Sequence, residues 1–261
     1  MNNENYTTDE MMTIAASRIL TNKQICFVGI GLPSAAANLA RLTHSPDLVL
    51  IYESGTLETK PDILPLSIGD GELSNTALTN VTVPEMFRYW LQGGHINIGF
   101  LGAAQIDKFA NLNSTVIGDY DKPNVRLPGA GGAPEIATHC HEIFIIIRHS
   151  KRTFVEQVDF VTSFGHGKGY NHREHLGINT KGPTKVITDL CILEPNEISF
   201  ELTVTALHPG VSRQEVIAAT GWKIQFADNL VTTKTPNGTE LEALRGLQNR
   251  SLELKIEKNK V

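Results

Sequence analysis

Apolar positions along the first sixty residues alternate between two spacings. From Thr8 to Leu20 they recur at Met11, Ile14, Ala15 and Ile19 behind a threonine suited to a cap, the spacing of an amphipathic helix. Gln24 to Gly29 is a short continuous apolar run closed by glycine, which predicts a buried strand. Pro33 to Thr43 opens on proline and is rich in alanine, a helix that Pro46 ends. Asp47 to Tyr52 is the next buried strand. Two apolar strands joined by a helix predict a parallel sheet with a right-handed crossover.

Gly55 to Thr82 is rich in Gly, Pro, Asp and Ser and shows no clean period, so it is expected to be a long functional loop. Pro84 to Leu91 predicts a short helix with Phe87, Trp90 and Leu91 inward. His95–Leu101 and Glu142–Arg148 read as strands, the second the most apolar in the chain, and Val125–Ile136 reads as a Gly/Pro-rich turn between them. Further strands are expected at Phe154–Thr162, Lys185–Leu193, Ser199–Leu207 and Lys223–Phe226, with a polar loop from Ser163 to Pro183. Ser212 to Thr220 has the capping-box pair Ser212 and Glu215 of a helix start, and Gly221 stops it. The tail, residues 239–261, is charged and expected to be helical, with Leu241, Leu244, Leu247 and Leu252 available for one packing face. No repeat or linker interrupts this pattern. It implies one domain over residues 1–261 of class α/β, a single open, mostly parallel sheet flanked by helices.

Composition narrows the function classes. The chain has 261 residues, 41% hydrophobic and 20% charged, which suits a globular protein and neither a disordered chain nor a coiled coil. Its net charge of −5 offers no cationic excess for a phosphate backbone, so no nucleic-acid partner is expected. Cys26, Cys140 and Cys191 are too few and too scattered for a disulfide framework. Glu4, Asp9 and Glu10 replace the basic start of a secretory signal, and no apolar run is long enough to span a bilayer. A cytoplasmic protein without a membrane partner is the expectation.

Candidate chemistry gathers where small residues follow strands. Gly29-Ile30-Gly31, with Pro33 and Ser34, lies between a strand and a helix, where backbone can approach a ligand. A dinucleotide fingerprint would want glycine at position 34 and an acid ending the next strand, and Glu53 occupies that last place. NAD binding and a plain tight turn therefore both stay open. Glu53-Ser54-Gly55 leaves a buried strand at the carboxyl edge of the sheet. The carboxylate there can serve as base, ribose acceptor, covalent nucleophile or simple turn residue. Pro128-Gly129-Ala130-Gly131-Gly132-Ala133-Pro134 can aim several N–H groups at one anion, or form only a turn. Gly102-Ala103-Ala104-Gln105 is another small-residue approach, with Gln105 as a candidate donor. His139, Cys140 and His141 are contiguous, and His166, His172 and His175 share a loop. Neither set has the spacing of a metal site, so no metal is expected and the loop histidines are read as solvated. No serine-hydrolase elbow or P-loop occurs.

The segments FVGIGLPSAAANLARLTHSPDLVLIYESG, LPLSIGDGEL, YWLQGG, GFLGAAQID, VRLPGAGGAPEIA, VDFVTS, KVITDLCILEP, LHPGV and ATGW, taken in order, resemble the β-type subunit of class I CoA-transferases, glutaconate-like members above all. The resemblance spans roughly residues 8 to 226. It implies that Glu53, in its Glu-Ser-Gly triplet, attacks an acyl-CoA and carries CoA as a glutamyl thioester. It implies succinyl-CoA as donor and a dicarboxylic keto acid of aromatic-compound breakdown, 3-oxoadipate, as acceptor, with glutaconate as the alternative. It places an oxyanion and CoA-binding loop at Gly131, Gly132 and Ala133, sets Gln105 near the thioester, and has Gly29 and Gly31 admit backbone close to the acyl group. No cofactor would be bound permanently, CoA thioester being substrate. An α-type CoA-transferase subunit would be the partner, in a heterotetramer of two α-type and two β-type chains. Relatives that have lost the glutamate act as hydrolases or decarboxylases, and Glu53 argues against both. One departure is Glu58, where relatives carry glycine in Glu-Ser-Gly-x-x-Gly. A changed backbone there, or a second inward carboxylate, would alter the site.

Overall fold

The computed structural model describes residues 5–258. They fall into two compact units, one running to Phe100 and resuming at Thr235, the other spanning Leu101–Lys234. In chain order the first holds α1 (Thr8–Arg18), β1 (Ile25–Phe27), α2 (Leu32–Leu42), β2 (Val49–Ile51), β3 (Thr56–Leu57), α3 (Gly71–Asn75), β4 (Thr79–Asn80), α4 (Val83–Glu85), a π-helical turn (Met86–Leu91) and β5 (Ile98–Leu101). The second holds β6 (Gln105–Ile106), β7 (Leu112–Asn113), β8 (Val116–Gly118), β9 (Pro123–Arg126), α5 (Ala133–His139), β10 (Glu142–Ile146), α6 (His172–His175), β11 (Gly182–Ile187), β12 (Cys191–Pro195), β13 (Leu202–Leu207), α7 (Arg213–Ala219) and β14 (Gln225–Thr232). The chain returns to the first unit as α8 (Gly238–Lys258).

The class is the expected α/β, with open, mostly parallel sheet flanked by helices. In the first unit β1 lies between β5 and β2, parallel to both, with Cys26 opposite Leu50 and Ile98. The helix–strand alternation at the start of the chain produces this arrangement, and α2 is the crossover. The capping box joins Thr7 and Glu10 at the start of α1. Ile14, Ala35, Leu39, Leu241 and Leu244 form one core where α1, α2 and α8 meet. Two ion pairs fix α8 there: Arg245 donates to Glu10 at 2.6 Å, and Arg18 donates to Glu240 at 2.7 Å. Leu247 is buried as well, whereas Leu252 is 54% exposed and lies off the packing face. Residues 259–261 of the expected tail lie outside the described residues. No helix among the described residues is long and apolar enough to cross a membrane.

Several local expectations need correction. The loop from Gly55 to Thr82 contains β3, α3 and β4, elements too short to show a period. In Met86–Leu91 the buried residues are Met86 and Leu91, five apart, as a π-turn aligns them; Phe87 and Trp90 are only partly covered. The Gly/Pro-rich turn passes into α5 at Ala133. Phe154–Thr162 is not a strand. Phe154 makes an isolated bridge to Ile106, and its amide turns back to Ser150. Lys185–Leu193 is a hairpin, β11 and β12, because the Thr188 hydroxyl accepts from the amides of Leu190 and Cys191 and turns the chain. The last strand reaches Thr232, beyond the expected Phe226. The helix after Ser212 matches, capping box included.

The polar loop of the second unit is more buried than its composition suggests. His166 is 2% exposed, donor or acceptor to the Pro183 carbonyl at 2.7 Å, which corrects its reading as a solvated residue. Arg173 is 7% exposed and has main-chain carbonyl acceptors, Gly165 at 2.7 Å among them. His149 stacks on Phe154 with ring centroids 3.7 Å apart, and His208 bonds the Thr188 carbonyl. Burial pushes His149 down to about 3 and His166 down to about 4, and lowers His208 as well.

A tight hairpin joins β2 to β3. The Gly55 amide donates to the Tyr52 carbonyl at 3.0 Å and the Tyr52 amide to the Thr56 carbonyl at 3.2 Å, so Glu53 and Ser54 occupy the two central turn positions. Ile51 pairs with Leu57, but the Thr59 amide reaches Leu50, leaving Glu58 as an extra residue. Glu58 has φ of 50°, the left-handed conformation of a bulge that glycine usually fills. Gly55 has φ of 101°, and a Cβ there would lie 2.0 Å from the Val81 carbonyl oxygen. The Val81 amide in turn donates to the Gly55 carbonyl at 2.9 Å.

This architecture sets the expected effect of two substitutions. Glu58→Gly should raise stability by about 1 kcal/mol, because it relieves the left-handed cost and gives up only an exposed ion pair. Gly55→Ala should lower it by more than that, the Val81 carbonyl having no room to retreat. Urea midpoints of the two variants check both, and a destabilised Glu58→Gly would contradict the bulge argument. Separately, the buried histidines stay neutral in the folded chain while the unfolded chain takes up protons below roughly pH 6.5. Stability should therefore be full above that pH and decline as pH falls towards the depressed folded values. A urea midpoint that stays flat from pH 7.5 to pH 5 would contradict this.

Candidate active site

Parallel strands β1 and β2 end side by side, with Phe27 opposite Ile51. Gly29 and Glu53 each follow those residues by two, so both emerge from the same carboxyl edge, where ligands of open α/β sheets bind. Gly31 caps α2 with φ of 87° and no side-chain cap, a conformation costly for residues with a Cβ. Gly29 has no such need, since a Cβ there would meet only Pro33 at ordinary contact distance. The first unit thus brings together Gly29, Gly31 and Glu53.

Glu53 is partly exposed at the tip of its hairpin. No hydrogen bond or ion pair engages its carboxylate among the described residues, which leaves it available to a ligand. Beside it the Ser54 hydroxyl is buried with no hydrogen-bond partner among the described residues. Behind it Tyr52 is fully buried, and its phenol lies 2.7 Å from the Ser34 hydroxyl. Burial pushes the phenol up to about 12, so it stays protonated and acts as a neutral prop. The Asn38 side-chain amide donates to the Ser34 carbonyl at 2.9 Å, and Arg41 donates to the Pro61 carbonyl at 2.9 Å. Ser34, the position where a dinucleotide fingerprint wants glycine, is therefore turned inward to hold Tyr52. Sequence patterns missed this prop, since a tyrosine ending an apolar strand carries no signal of its partner eighteen residues earlier. The Glu58 carboxylate pairs with Lys60 at 3.2 Å, just beyond the end of β3.

The second unit carries the remaining candidates. Gly129 and Gly131 adopt φ of 104° and 50°, and Gly132 precedes the first residue of α5. The Ala133 amide donates to the Ala130 carbonyl at 3.1 Å, whereas the amides of Gly131 and Gly132 have no acceptor among the described residues. Those two N–H groups are free to meet an anion, and Ala133 contributes lining only. The Gly129 end of the loop is pinned to Ser114, whose carbonyl accepts the Gly129 amide and whose hydroxyl donates to the Gly129 carbonyl. Gln105 is 5% exposed. Its side-chain nitrogen donates to Asp159 at 3.1 Å, and its oxygen accepts from Asn113 at 2.7 Å and from the Asp159 amide at 3.1 Å. Gln105 is thus held in a structural network, with one N–H left over. The cysteines are all buried and free.

Residues 9–219 match the family model of the coenzyme A transferases. The chain is 63% identical to the B subunit of 3-oxoadipate CoA-transferase from Pseudomonas knackmussii, over 94% of this chain and 95% of that one. It is 34% identical to the B subunit of glutaconate CoA-transferase from Acidaminococcus fermentans, over 92% of each. Its fold superposes on the crystal structure of glutaconate coenzyme A-transferase from the same organism with a TM-score of 0.87, covering 93% of this chain and 94% of that one at 33% identity. A strand-end glutamate on a glycine-locked hairpin and a glycine loop with free amides thus sit in a chain that matches the B subunits of two CoA-transferases nearly end to end, and the chain belongs to the coenzyme A transferase family.

Proposed function

We propose that this chain is the β-type subunit of a CoA-transferase that moves CoA from succinyl-CoA to 3-oxoadipate in the breakdown of aromatic compounds, with Glu53 as nucleophile. The observation that carries the reading is the 63% identity, over nearly the whole of both chains, to the B subunit of a 3-oxoadipate CoA-transferase. Glu53 on its hairpin tip suits the chemistry. Its carboxylate attacks the thioester carbonyl, the C–S bond breaks, and CoA leaves as thiolate, giving a mixed anhydride. The thiolate then attacks the glutamyl carbonyl of the anhydride, releasing succinate and leaving a glutamyl-CoA thioester. A carboxylate of 3-oxoadipate repeats the sequence in reverse and regenerates Glu53. Splitting one exchange into such steps gives ping-pong kinetics.

Each acyl transfer passes through a tetrahedral oxyanion, which the free amides of Gly131 and Gly132 suit. Gly29 and Gly31 leave backbone space beside the acyl group, and the remaining N–H of Gln105 is its contribution near the thioester. The chemistry asks for no resident cofactor and no metal, because the carboxylate and the CoA sulfur exchange the acyl group between themselves. An α-type subunit completes the enzyme, in a heterotetramer of two chains of each kind working in the cytoplasm. Both similar chains are subunits, each one part of a larger enzyme, which supports such a partner.

The test uses the chain purified with its α-type partner. Incubation with succinyl-CoA should add the mass of CoA less one water to the peptide containing Glu53. Glu53→Ala should lower turnover by at least about a thousandfold, as loss of a covalent nucleophile does. Glu53→Asp should also fail, since withdrawing the carboxylate by one methylene misplaces it by about 1 Å, enough to cost on the order of a hundredfold. Thioester loss without any adduct would point to hydrolysis instead. Transfer to glutaconate in preference to 3-oxoadipate would overturn the choice of acceptor alone.

A further inference from the structure

The loop from Ser163 to Pro183 docks on the turn between β12 and β13. The Tyr170 amide donates to the Ser199 carbonyl at 3.1 Å, and the rings of His166 and Phe200 meet with centroids 4.8 Å apart. Gly169 makes the approach possible, since a Cβ there would lie 2.4 Å from the Ser199 carbonyl oxygen. Tyr170 and Phe200 have φ of 50° and 60°, the two aromatic residues among the described residues that take the left-handed conformation. Glycine or asparagine would hold it at lower cost. Phe200 gains a packed ring in return. Tyr170 is 64% exposed, and no hydrogen bond or ring contact engages its side chain among the described residues. The fold thus gives no reason for an aromatic residue at this position. Backbone strain kept without a structural gain marks a functional position.

Between the loop and the turn opens a cavity of about 960 Å³, the size of a small-molecule site. Tyr170, Ile178, Ile198 and Phe200 give it apolar walls, and Ile198 is 76% exposed. Its most buried polar residue is His166. The His166 Nε2–H donates to the Pro183 carbonyl at 2.7 Å, because a carbonyl can only accept. Burial keeps the ring uncharged at neutral pH. Nδ1 therefore carries a lone pair, and no donor meets it among the described residues. Arg173 also lines the cavity, but its guanidinium is spent on the carbonyls of Ala137, Gly165 and Thr180 and on the Thr180 hydroxyl. Glu174, Lys181 and Glu197 line it as exposed residues. The cavity offers a ligand aromatic surface and one buried acceptor, and no buried free cation that would select an anion.

We propose that this cavity binds a hydroxylated aromatic ring, stacked on Tyr170, whose O–H donates to Nδ1 of His166. The whole site lies in the Leu101–Lys234 unit and makes no use of Glu53 or of CoA. It goes beyond the transferase reading and can fail without it. The hydroxyl is the selective element, because a ring that lacks it leaves a buried acceptor unpaired.

The probe is 2-naphthol, titrated by its own fluorescence into the chain purified with its α-type partner. The control is 2-methoxynaphthalene, which keeps the rings and lacks the O–H. 2-Naphthol should bind saturably, and the methyl ether at least about tenfold more weakly. This comparison tests His166 without altering it, since a substitution at so buried a ring endangers the fold. Tyr170→Gly should raise the urea midpoint by removing the left-handed cost. The same variant should weaken 2-naphthol about threefold or more through loss of the stacking surface. Tyr170→Phe should bind as the unaltered chain does. Equal affinity for the two naphthalenes would overturn the proposal, and so would a lowered urea midpoint in Tyr170→Gly. No saturable binding to the complex, the result if the partner covers the cavity, would overturn it as well. CoA transfer enters none of these readouts, so every outcome leaves the transferase reading where it stands.

Discussion

A single backbone contact governs the geometry around Glu53. Gly55 lies so close to the Val81 carbonyl that no Cβ fits, and the Val81 amide returns a hydrogen bond to the Gly55 carbonyl. This contact clamps the segment after β4 onto the turn after β2. It forces Glu53 and Ser54 into the turn's two central positions and stops the chain from running on as a longer strand. The parallel pairing of β1 with β2 then sets the height of the turn relative to Gly29 and Gly31. A ligand that meets this carboxylate has only the Glu53 side chain left to order, because the backbone that carries it is already fixed.

The two units satisfy their buried polar groups in different ways. In the first, charge meets charge: Glu10 with Arg245 and Glu240 with Arg18 hold α8 against α1 from opposite ends of the sequence. Arg245 beside Glu10 holds that carboxyl below the usual range, so the pair favours the folded state at neutral pH. In the second unit a buried guanidinium, Arg173, is met by carbonyl oxygens, and buried imidazoles are met by carbonyls and hydroxyls. Carbonyl acceptors fix a long loop without importing a second buried charge, whose desolvation would offset much of the gain. The cost appears at low pH, where the imidazoles must stay neutral.

The alternation of apolar runs and amphipathic segments made α1, β1, α2 and β2 legible in the sequence, and with them the place of Glu53. The capping box did the same for α7. What escaped the sequence shares one cause, namely that partners distant in the chain decide the local state. β3 and β4 are two residues each and exist because Gly55 and Val81 bond one another. The π-turn exists because Met86 and Leu91 share one buried side. Phe154 reads as a strand residue, yet its carbonyl accepts from Gly221 and its ring is stacked between His149 and Trp222. Gln105 reads as a free donor, but Asn113 and Asp159 take most of its capacity. Glu58 is the reverse case. The glycine expected there implies a left-handed residue, and the backbone keeps that conformation without the glycine, at a cost in strain, and places its carboxylate on Lys60.

Net charge was the least informative of the sequence quantities, for a physical reason. A total of −5 argues against a long cationic tract, because counterion release needs many cations in register along a phosphate backbone. It says nothing about one compact polyanion, whose few phosphates need only a few cations within a screening length of about 8 Å at physiological salt. Arg148, Lys151 and Arg152 supply three such cations within five residues of a chain that is acidic overall.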